Sequence, residues 1–355
     1  MVKIFVKFYG CQANLDDESI VKGILIKNNF EIVNSINKSD IVIIGTCVVK
    51  PVTVNKILNQ LKNAYLNKKL IIAGCMPESE TEYCKKSFPK AVLVNTYNVS
   101  NILNAVNDLV NNNVRYYLGK KKESKLGLPK LIKDIVTIQI SSGCTNNCSF
   151  CGTKLAKGNI QSYSEDEILN EIKNYLKKGI KLFNISSTNN SDYGKDINTN
   201  LVNLLKKIIS IEGNFKIRIG MMNPANIENI DELIELYKND KVIKFIHIPV
   251  QSGSDKVLKE MNRNYKIKDF VNIVNKFRKN IKNISISTDI IVGYPTETEE
   301  DFDKTIELIK KIKPEVLNIS RFGARPGTVA AKLKPLKTQI VKERSVKLTK
   351  IYKNK

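Results

Sequence analysis

The sequence predicts an α/β protein in which a small N-terminal parallel α/β domain precedes a partial (β/α)6 barrel. Three observations predict this class. Strand patterns alternate with helix patterns in two separate series along the chain. A lysine-rich stretch without hydrophobic periodicity separates the two series. Cysteines follow the ends of several predicted strands, and this is where ligands bind in parallel sheets.

The first series occupies residues 1–111. Its strands are KIFVKFYG, IVIIGT and KLIIAG, and its helices are NLDDESIVKGILIKN and PVTVNKILNQLKNAYL. Cys11 follows the first strand, Cys47 closes the second, and Cys75 follows the third. Because the carboxyl ends of parallel strands lie on one edge of a sheet, we expect these three thiols to converge there.

Residues 112–134 are predicted to link the domains, and residues 135–325 carry the second series. Its predicted strands are IVTIQIS, IKLFNIS, FKIRIG, KFIHIPV, ISISTDIIVG and EVLNISR. One intervening helix begins at Ser164 with Glu167 three residues later, the pattern of a capping box. Six such units make three quarters of a (β/α)8 barrel. Residues 326–355 are predicted to form a basic, helical tail.

A compact cysteine motif, GCTNNCSFC, follows the first strand of the second series. It places Cys144, Cys148 and Cys151 in one loop at the face where barrel active sites lie. A 4Fe–4S cube normally takes four cysteines, so three would leave one iron open for chemistry. The competing metal is zinc, whose sites usually combine paired C-x2-4-C knuckles with histidines, and the sequence has no second pair. Cys84 fits neither set and is predicted to be a bystander.

The bulk composition is that of a globular protein without a membrane segment. The chain has 355 residues, of which 42% are hydrophobic and 26% are charged. No apolar run approaches the roughly 18–20 residues that span a bilayer, and the N-terminus lacks the pattern of a signal peptide. We therefore expect a cytoplasmic protein with no membrane partner. In that reducing compartment, clustered cysteines indicate metal ligands or catalysis before disulfides.

The charge balance is strongly basic. With 58 basic and 35 acidic residues, the formal net charge is +23. Such an excess favours a polyanionic partner, above all nucleic acid. Only seven of the basic residues are arginines, and the chain is rich in Asn and Ile. A general Lys/Asn/Ile bias in composition is therefore an alternative source of the charge.

Several motifs in order resemble those of the radical S-adenosylmethionine (SAM) methylthiotransferases. In the first domain they are FYGCQANLDDES, IIGTCVVKPVT and IIAGCMPE, and in the second SSGCTNNCSFCGTKLAKGNIQSYS, HIPVQSGSDKVLKEMNRNY, DIIVGYPTETEEDF and SRFGARPGTVAAKL. The resemblance spans essentially the whole chain. The RIGMMNP and RPGT segments look most like the archaeal and eukaryotic branch, which acts on threonylcarbamoyladenosine at position 37 of tRNA.

The resemblance implies two 4Fe–4S clusters and SAM as cofactors. Cys144, Cys148 and Cys151 would hold the cluster whose open iron binds SAM, and one electron then cleaves SAM to a 5′-deoxyadenosyl radical. The dispersed cysteines would hold an auxiliary cluster that carries or donates sulfur, while a second SAM supplies the methyl group. The auxiliary ligands are Cys11, Cys47 and Cys75. The resemblance also implies cofactor contacts from Phe150, Ser186, His247, Gln251 and Arg263.

Further polar residues lie in the resembling motifs. Ser252 follows Gln251, and Arg218 lies on the third barrel strand as a candidate for a carboxylate or phosphate contact. Asp289 and Glu297 flank GYP and are predicted to line the barrel mouth. For the histidine and the arginines, a structural role or an ordinary ion pair is the alternative.

The chain departs from the family pattern at several places. Thr188 and Asn189 occupy the positions where members of the family usually have an acidic residue or Gln, followed by Asp or Asn. Lys157 replaces the usual Arg, and Gly45 replaces the usual Asn. The small C-terminal RNA-binding TRAM domain of the family is expected to be absent.

Together these features predict a tRNA methylthiotransferase acting on C2 of N6-threonylcarbamoyladenosine. The alternatives are a methylthiotransferase for isopentenyladenosine tRNA or for a ribosomal-protein aspartate, and a non-catalytic iron–sulfur protein that binds RNA or transfers electrons. The expected partners are the tRNA anticodon loop, SAM, a flavodoxin- or ferredoxin-like electron donor, and a separate TRAM-type RNA-binding protein. Loop bases are already unpaired, which lowers the cost of presenting one to an active site.

Overall fold

The computed structural model describes residues 2–120 and 123–354, which form two compact units. The first unit contains the chain up to Gln139 together with Gly152–Asn159. The second contains Ile140–Cys151 and the chain from Ile160 onward. The compact cysteine loop therefore belongs to the second unit, and the helix that follows it in sequence belongs to the first.

Strands and helices alternate in the first unit. The strands are β1 (Lys3–Phe8), β2 (Glu31–Val33), β3 (Ile41–Thr46), β4 (Lys69–Gly74), β5 (Val92–Asn95), β6 (Tyr116–Tyr117) and β7 (Ile135–Gln139). The helices are α1 (Gln12–Lys27), α2 (Pro51–Asn67), α3 (Met76–Ser79), α4 (Thr81–Ser87), α5 (Ile102–Val110) and α6 (Gly152–Lys157).

The first-unit sheet has the order β2-β1-β3-β4-β5-β6, with every neighbouring pair parallel. β3 is buried along its whole length because helices cover both faces, which explains its continuous apolar sequence IVIIGT. One apolar cluster packs around Ile43 and Ile71, and another packs around Ile44 and Ile72. Alternating side chains of the central strands thus point into two separate cores.

The described residues of the segment 112–134 differ from the expected linker, because they pack into the first unit. β6 adds to the sheet edge beside β5. Lys125 is buried and its Nζ lies 2.6 Å from Oδ1 of Asp17, while Lys130 Nζ lies 3.0 Å from Oδ1 of Asp16. Both aspartates lie on the buried face of α1. Buried carboxylates need cationic partners, and this polar segment supplies them without any hydrophobic periodicity.

The second unit continues the alternation. Its strands are β8 (Ser141–Ser142), β9 (Gln161–Ser162), β10 (Leu182–Ser186), β11 (Lys216–Ile219), β12 (Phe245–His247), β13 (Ser285–Val292) and β14 (Val316–Arg321). Its helices are α7 (Glu165–Lys177), α8 (Leu201–Ile209), α9 (Ile230–Lys238), α10 (Asp255–Glu260), α11 (Ile267–Asn280), α12 (Glu299–Ile312) and α13 (Thr338–Lys353).

β8 and β9 form an antiparallel pair, and parallel pairing relates the later strands of the second unit. β10 pairs with β11, and β12 pairs with β13, which pairs with β14. A parallel bridge between Ile217 and Val242 continues the array from β11 toward β12. The predicted fold class, with an N-terminal parallel α/β domain followed by a parallel βα array, is confirmed.

Local sequence signals fix the helix starts in this unit. The hydroxyls of Ser164 and Thr298 each accept a hydrogen bond from the third helical residue, and the side chains of Glu167 and Asp301 accept one from the backbone amide of the cap. These capping boxes begin α7 and α12, and the one at Ser164 is the capping box that the sequence predicts. Within the described part of the chain, no helix is long and apolar enough to cross a membrane.

Candidate functional site

The dispersed cysteines lie at the carboxyl edge of the first-unit sheet. Cys11 precedes α1, Cys47 follows β3, and Cys75 lies between β4 and α3. The side-chain amide of Asn14 donates to the carbonyls of Tyr9 at 2.7 Å and Thr46 at 2.9 Å. Asn14 therefore connects the segments after β1 and β3 that carry Cys11 and Cys47.

The backbone packs closely around these thiols. A Cβ on Gly10 would stand 2.7 Å from Cβ and 2.8 Å from Sγ of Cys47, so only glycine fits there, at φ +115°. The Cys75 amide donates to the Thr46 carbonyl at 3.1 Å. The thiol of Cys75 also feels the charges of Cys11 and Cys47. The three thiols therefore converge on one rim, as the strand pattern predicts.

Burial and charge differ among the three thiols. Cys47 and Cys75 are each 4% exposed, whereas Cys11 is open to solvent. Burial raises the pKa of Cys75 to about 12, and neighbouring Lys157 acts in the opposite direction. A bound metal would reverse this protonation, because the thiolate is the ligand form. Cys84, expected as a bystander, is fully buried in the apolar cluster under the same sheet.

The compact cysteine loop is held in place by groups from three other segments of the second unit. Ser149, between two of the cysteines, donates its amide to the Met261 carbonyl at 3.0 Å and accepts at its own carbonyl from the Ala330 amide at 2.8 Å. Its hydroxyl lies 2.9 Å from the hydroxyl of Tyr294 and donates to the carbonyl of Glu260 at 3.0 Å. A loop pinned in this way presents its thiols with little freedom.

Two of the compact thiols have charged neighbours. Nη1 of Arg263 donates to Sγ of Cys148 at 3.4 Å, while Nη2 donates to the Pro249 carbonyl at 2.9 Å. Although burial opposes its charge, Tyr265 and Cys148 raise the pKa of Arg263. The thiol of Cys144 donates to Oδ2 of Asp192 at 3.3 Å. Burial chiefly, and Asp192 in addition, raise the pKa of Cys144 to about 12.

Phe150 lies in an apolar cluster beside the compact loop. It packs with Val257, Met261, Tyr294 and Ala330 while remaining partly exposed. The ring is therefore held by apolar contacts without being fully buried, which leaves part of it available for an aromatic contact with a nucleotide.

The loop after β10 carries buried polar atoms that have no hydrogen-bond partner among the described residues. These atoms are Ser187 Oγ, Thr188 Oγ1, Asn189 Nδ2, Asn190 Oδ1 and Asp192 Oδ1. Buried polar groups are normally satisfied, so such a concentration in one loop indicates a polar ligand. The loop borders the compact motif, since Oδ2 of Asp192 accepts from the amide of Thr145 at 2.9 Å.

A polar row crosses three neighbouring strands, from the end of β12 to the interior of β13 and β14. Nε2 of His247 on β12 and Oδ1 of Asp289 on β13 lie 2.9 Å apart. The side-chain amide of Asn318 on β14 donates to the same oxygen at 2.8 Å. Gln251, just beyond β12, adopts a left-handed conformation with φ +74° and forms a parallel bridge with Ile290. Such strain in a non-glycine residue is typical of a ligand-binding edge.

Other predicted residues have different surroundings. The Arg218 guanidinium lies over the Phe245 ring, 4.2 Å from its centroid, and so has an aromatic rather than a carboxylate neighbour. Glu297 is fully buried and pairs with Arg344 at 2.8 Å. Ser186 is buried, and its carbonyl accepts from the Ile140 amide at 2.9 Å. Ser252 is buried, and its hydroxyl accepts from the Ser254 amide at 3.2 Å.

Sequence reasoning missed several site residues. Asp192 contacts the compact loop, Asn226 accepts from the Asn146 amide at 2.8 Å, and Tyr294 contacts Ser149. The sequence signal for Asp192 was the polar run SSTNNSD, which directly follows a buried strand. The other two come from distant loops whose approach the sequence does not encode locally.

The donor sets fit iron–sulfur cubes better than single ions. Among the described residues, no group of three His, Cys, Asp or Glu side chains is arranged to hold one metal ion. A cube takes each thiolate on a different iron, so its ligands stand farther apart than those of a single ion. The orphaned polar atoms beside the compact triad fit the amino, carboxylate and ribose groups of SAM, which all require hydrogen-bond partners.

Comparisons with known proteins agree with both units. The model of the radical SAM superfamily matches residues 138–309, and that of the uncharacterized protein family UPF0004 matches residues 3–95. A probable threonylcarbamoyladenosine tRNA methylthiotransferase of Pyrococcus horikoshii is 39% identical over 99% of this chain and 84% of that protein. The human threonylcarbamoyladenosine tRNA methylthiotransferase is 34% identical over 99% of this chain and 62% of that protein.

Solved structures share the fold at low identity. The radical SAM methyltransferase TsrM from Kitasatospora setae, with cobalamin and a 4Fe–4S cluster, aligns with a TM-score of 0.66 at 11% identity, covering 93% of this chain and 77% of that one. The cobalamin-dependent radical SAM enzyme OxsB aligns with a TM-score of 0.57 at 12% identity, covering all of this chain and 56% of that one. At this identity the likeness concerns the fold alone.

Proposed function

This chain belongs to the threonylcarbamoyladenosine tRNA methylthiotransferases, a family of radical SAM enzymes, and we propose that it adds a methylthio group to C2 of N6-threonylcarbamoyladenosine at position 37 of tRNA. The observation that carries this proposal is the presence of two cysteine triads, one in each α/β unit. One triad equips an enzyme for radical chemistry, and the second offers a place for the sulfur.

The compact triad would hold the 4Fe–4S cluster that binds SAM. With SAM bound and one electron supplied, such a cluster provides the radical that activates the substrate carbon. The residues of this chain position the cysteine loop and the cofactor for that chemistry. Arg263 donates to Cys148, and Ser149 anchors the loop to Met261 and Ala330. The unpaired polar atoms of residues 187–192 would hold SAM in one orientation.

The polar row across β12, β13 and β14 would face the substrate. His247 at the carboxyl end of β12 shares hydrogen bonds with Asp289 within β13, which also bonds Asn318 within β14. In parallel arrays, ligands bind on the side of the carboxyl ends. Asp289 accepts from both neighbours and so fixes their side-chain orientations. We assign this row to positioning the base of the nucleoside.

The dispersed triad would hold a second 4Fe–4S cluster that carries the sulfur. Its support is the convergence of Cys11, Cys47 and Cys75 on one rim of the first-unit sheet. Three ligands leave an iron open there as well. The open corner would bind the sulfur that becomes the methylthio group, with a second SAM as methyl donor.

The polyanionic substrate agrees with the charge of the chain. The net charge of +23 favours binding to the phosphates of tRNA. A flavodoxin- or ferredoxin-like protein as electron donor, a separate TRAM-type RNA-binding partner and a cytoplasmic location remain predictions of the sequence.

A reconstituted reaction tests the proposal. The holoenzyme is incubated anaerobically with SAM, dithionite, sulfide and tRNA that carries threonylcarbamoyladenosine, and the digested nucleosides are analysed by mass spectrometry. We expect a new nucleoside heavier by one methylthio group in place of hydrogen. Matched reactions contain tRNA with isopentenyladenosine, or ribosomal protein. Product in one of these reactions alone would assign the enzyme to the rival substrate, and no product in any would favour a non-catalytic protein.

A further inference from the structure

The second-unit strands have one fully buried face and one face that stays partly accessible. Alternate side chains of β10, β11 and β12 have no exposed surface, namely Phe183, Ile185, Ile217, Ile219 and Ile246. The side chains between them point to the opposite face and are only partly buried. These are Asn184, Arg218, Phe245 and His247. A ligand can therefore reach this second face of the strands.

Arg218 lies on the same face as the polar row. Its guanidinium lies 4.2 Å from the centroid of the Phe245 ring. Phe245 and His247 are two residues apart on β12, so their side chains point to the same side of the strand. His247 in turn bonds Asp289 on β13. The guanidinium is therefore placed on the face to which we assign the base of the nucleoside.

The Arg218 side chain has donors to spare. Within the described part of the chain, no carboxylate pairs with it, and its side-chain contact is the Phe245 ring. Asn184 on β10 is the register partner of Arg218, and its side-chain amide makes no hydrogen bond to another described residue. A partly buried charge without an opposite charge is costly. The planar set of N–H donors on a guanidinium suits a carboxylate that accepts two hydrogen bonds.

We propose that Arg218 binds the carboxylate of the threonylcarbamoyl group and thereby selects this nucleoside over isopentenyladenosine. The inference rests on the proposed function, which supplies the nucleoside. The threonylcarbamoyl substituent carries a carboxylate, a hydroxyl and a urea-type linkage, whereas the isopentenyl substituent is an uncharged hydrocarbon. Arg218 supplies the paired donors for the carboxylate, and the amide of Asn184 lies beside it for the other polar groups. An uncharged substituent would leave the guanidinium unpaired, which disfavours its binding.

Anticodon stem-loop RNAs that differ only at N6 of the adenosine test this inference. They carry the threonylcarbamoyl group as the free acid, the same group as its methyl ester, the isopentenyl group, or no modification. Fluorescence anisotropy gives the affinity of the reconstituted holoenzyme for each RNA, and single-turnover reactions give the rate of methylthiolation. The variants are Arg218→Lys, Arg218→Gln and Arg218→Met, and SAM affinity and iron per chain are measured for each.

Lys216→Met is the matched control. Lys216 is an exposed cation two residues earlier on β11, and its Nζ donates to the backbone carbonyl of Asp240. This variant removes one positive charge from the same strand without touching Arg218. It should keep the full preference of the wild type for the acid over the ester.

We expect the preference to depend on both charges. The wild type should bind the acid about 10- to 100-fold more tightly than the ester, as expected for hydrogen bonds to a charged group. Arg218→Gln and Arg218→Met should bind the two RNAs equally. Arg218→Lys should keep part of the preference, because an ammonium retains the charge but not the paired donors. Affinities for SAM and for unmodified RNA should not change.

Equal binding of the acid and the ester by the wild type would overturn the inference, and this comparison requires no variant to fold. A wild-type preference in Arg218→Met would overturn it as well. An equal loss of affinity for unmodified RNA would assign Arg218 to a phosphate, and a loss of SAM affinity would assign it to the carboxylate of SAM. In each case the proposed function stands if the wild type converts the threonylcarbamoyl RNA. Product from the isopentenyl RNA alone would reject the proposed function instead.

Discussion

Nη1 of Arg263 lies 3.4 Å from Sγ of Cys148, while Nη2 of the same guanidinium bonds the Pro249 carbonyl at 2.9 Å. One planar guanidinium thus connects a thiol of the compact triad to the segment that follows β12. A lysine cannot reproduce both contacts, because its ammonium is a point donor at the end of a flexible stem.

We therefore expect Arg263→Met to slow the reductive cleavage of SAM by about tenfold or more, since a hydrogen bond to a charged group contributes roughly 1.5–3 kcal/mol. Arg263→Lys should restore only part of the rate. The measurement is 5′-deoxyadenosine formed per minute by protein of known iron content. Arg278→Met is the control, because Arg278 pairs with the exposed Glu315. Equal rates for Arg263→Met and the control would refute the role of the guanidinium.

Thr188 provides a test of the polar loop after β10. Its buried hydroxyl has no partner among the described residues. Replacing Thr188 by Val removes that hydroxyl and keeps the shape, so the SAM-free protein should keep or slightly raise its melting temperature. The affinity for SAM should nevertheless fall by roughly 3- to 10-fold, as expected for one lost hydrogen bond.

For Thr188→Val, isothermal titration calorimetry measures the affinity for SAM, and thermal unfolding of the SAM-free protein measures the melting temperature. Ser345→Ala, on α13, is a control that should change neither. A variant that lost stability but bound SAM normally would show that the hydroxyl serves packing and not the cofactor.

Asp289 holds the polar row together. Asp289→Asn keeps the shape of the side chain but removes the charge that accepts from His247 and Asn318. We expect methylthiolation to slow by about 10- to 100-fold, corresponding to roughly 1.5–3 kcal/mol, with little change in SAM affinity. Single-turnover product formation measures this effect, and Asp303→Asn, at an exposed position of α12, is the control. A matching loss of SAM affinity would instead assign Asp289 to the cofactor.

Arg344 connects α13 to the loop after β13. Its guanidinium lies 2.8 Å from the fully buried Glu297, whose carboxylate also accepts from the Gly293 amide at 2.8 Å. Arg344→Met leaves that carboxylate without its cation, and we expect the free energy of unfolding to fall by about 3–5 kcal/mol. The double variant Arg344→Met/Glu297→Gln should recover part of the loss.

Urea unfolding followed by circular dichroism measures these differences. Lys347→Met removes an exposed partner of Glu299 and should cost less than about 1 kcal/mol. If Arg344→Met cost no more than Lys347→Met, the buried pair would not be what holds α13 to this loop.

The sequence predicted what periodicity and strand topology determine. Cys11, Cys47 and Cys75 follow strands of one parallel sheet, and the structure places them at one rim. Gly45, which departs from the usual Asn of the family pattern, also has a physical reason. A Cβ there would stand about 2 Å from ring atoms of Phe8, which pairs with it across the sheet.

What the sequence could not predict depends on loops and on charge pairing. The segment around Lys125 and Lys130 has the polar composition of a linker, yet buried aspartates of α1 hold it in place. Asp192 and Asn226 approach the compact loop from separate crossovers, and no local pattern encodes that meeting. Arg218, a candidate for anion binding, lies over an aromatic ring because Phe245 occupies the neighbouring strand.

The measurement that tests the central claim most directly is iron per chain, with and without the dispersed triad. The account predicts about eight irons in the anaerobically reconstituted chain and about four in Cys11→Ala/Cys47→Ala/Cys75→Ala. The triple variant should still form 5′-deoxyadenosine from SAM but no methylthiolated nucleoside. About four irons in both proteins would contradict the account, because the chain would then hold a single cluster.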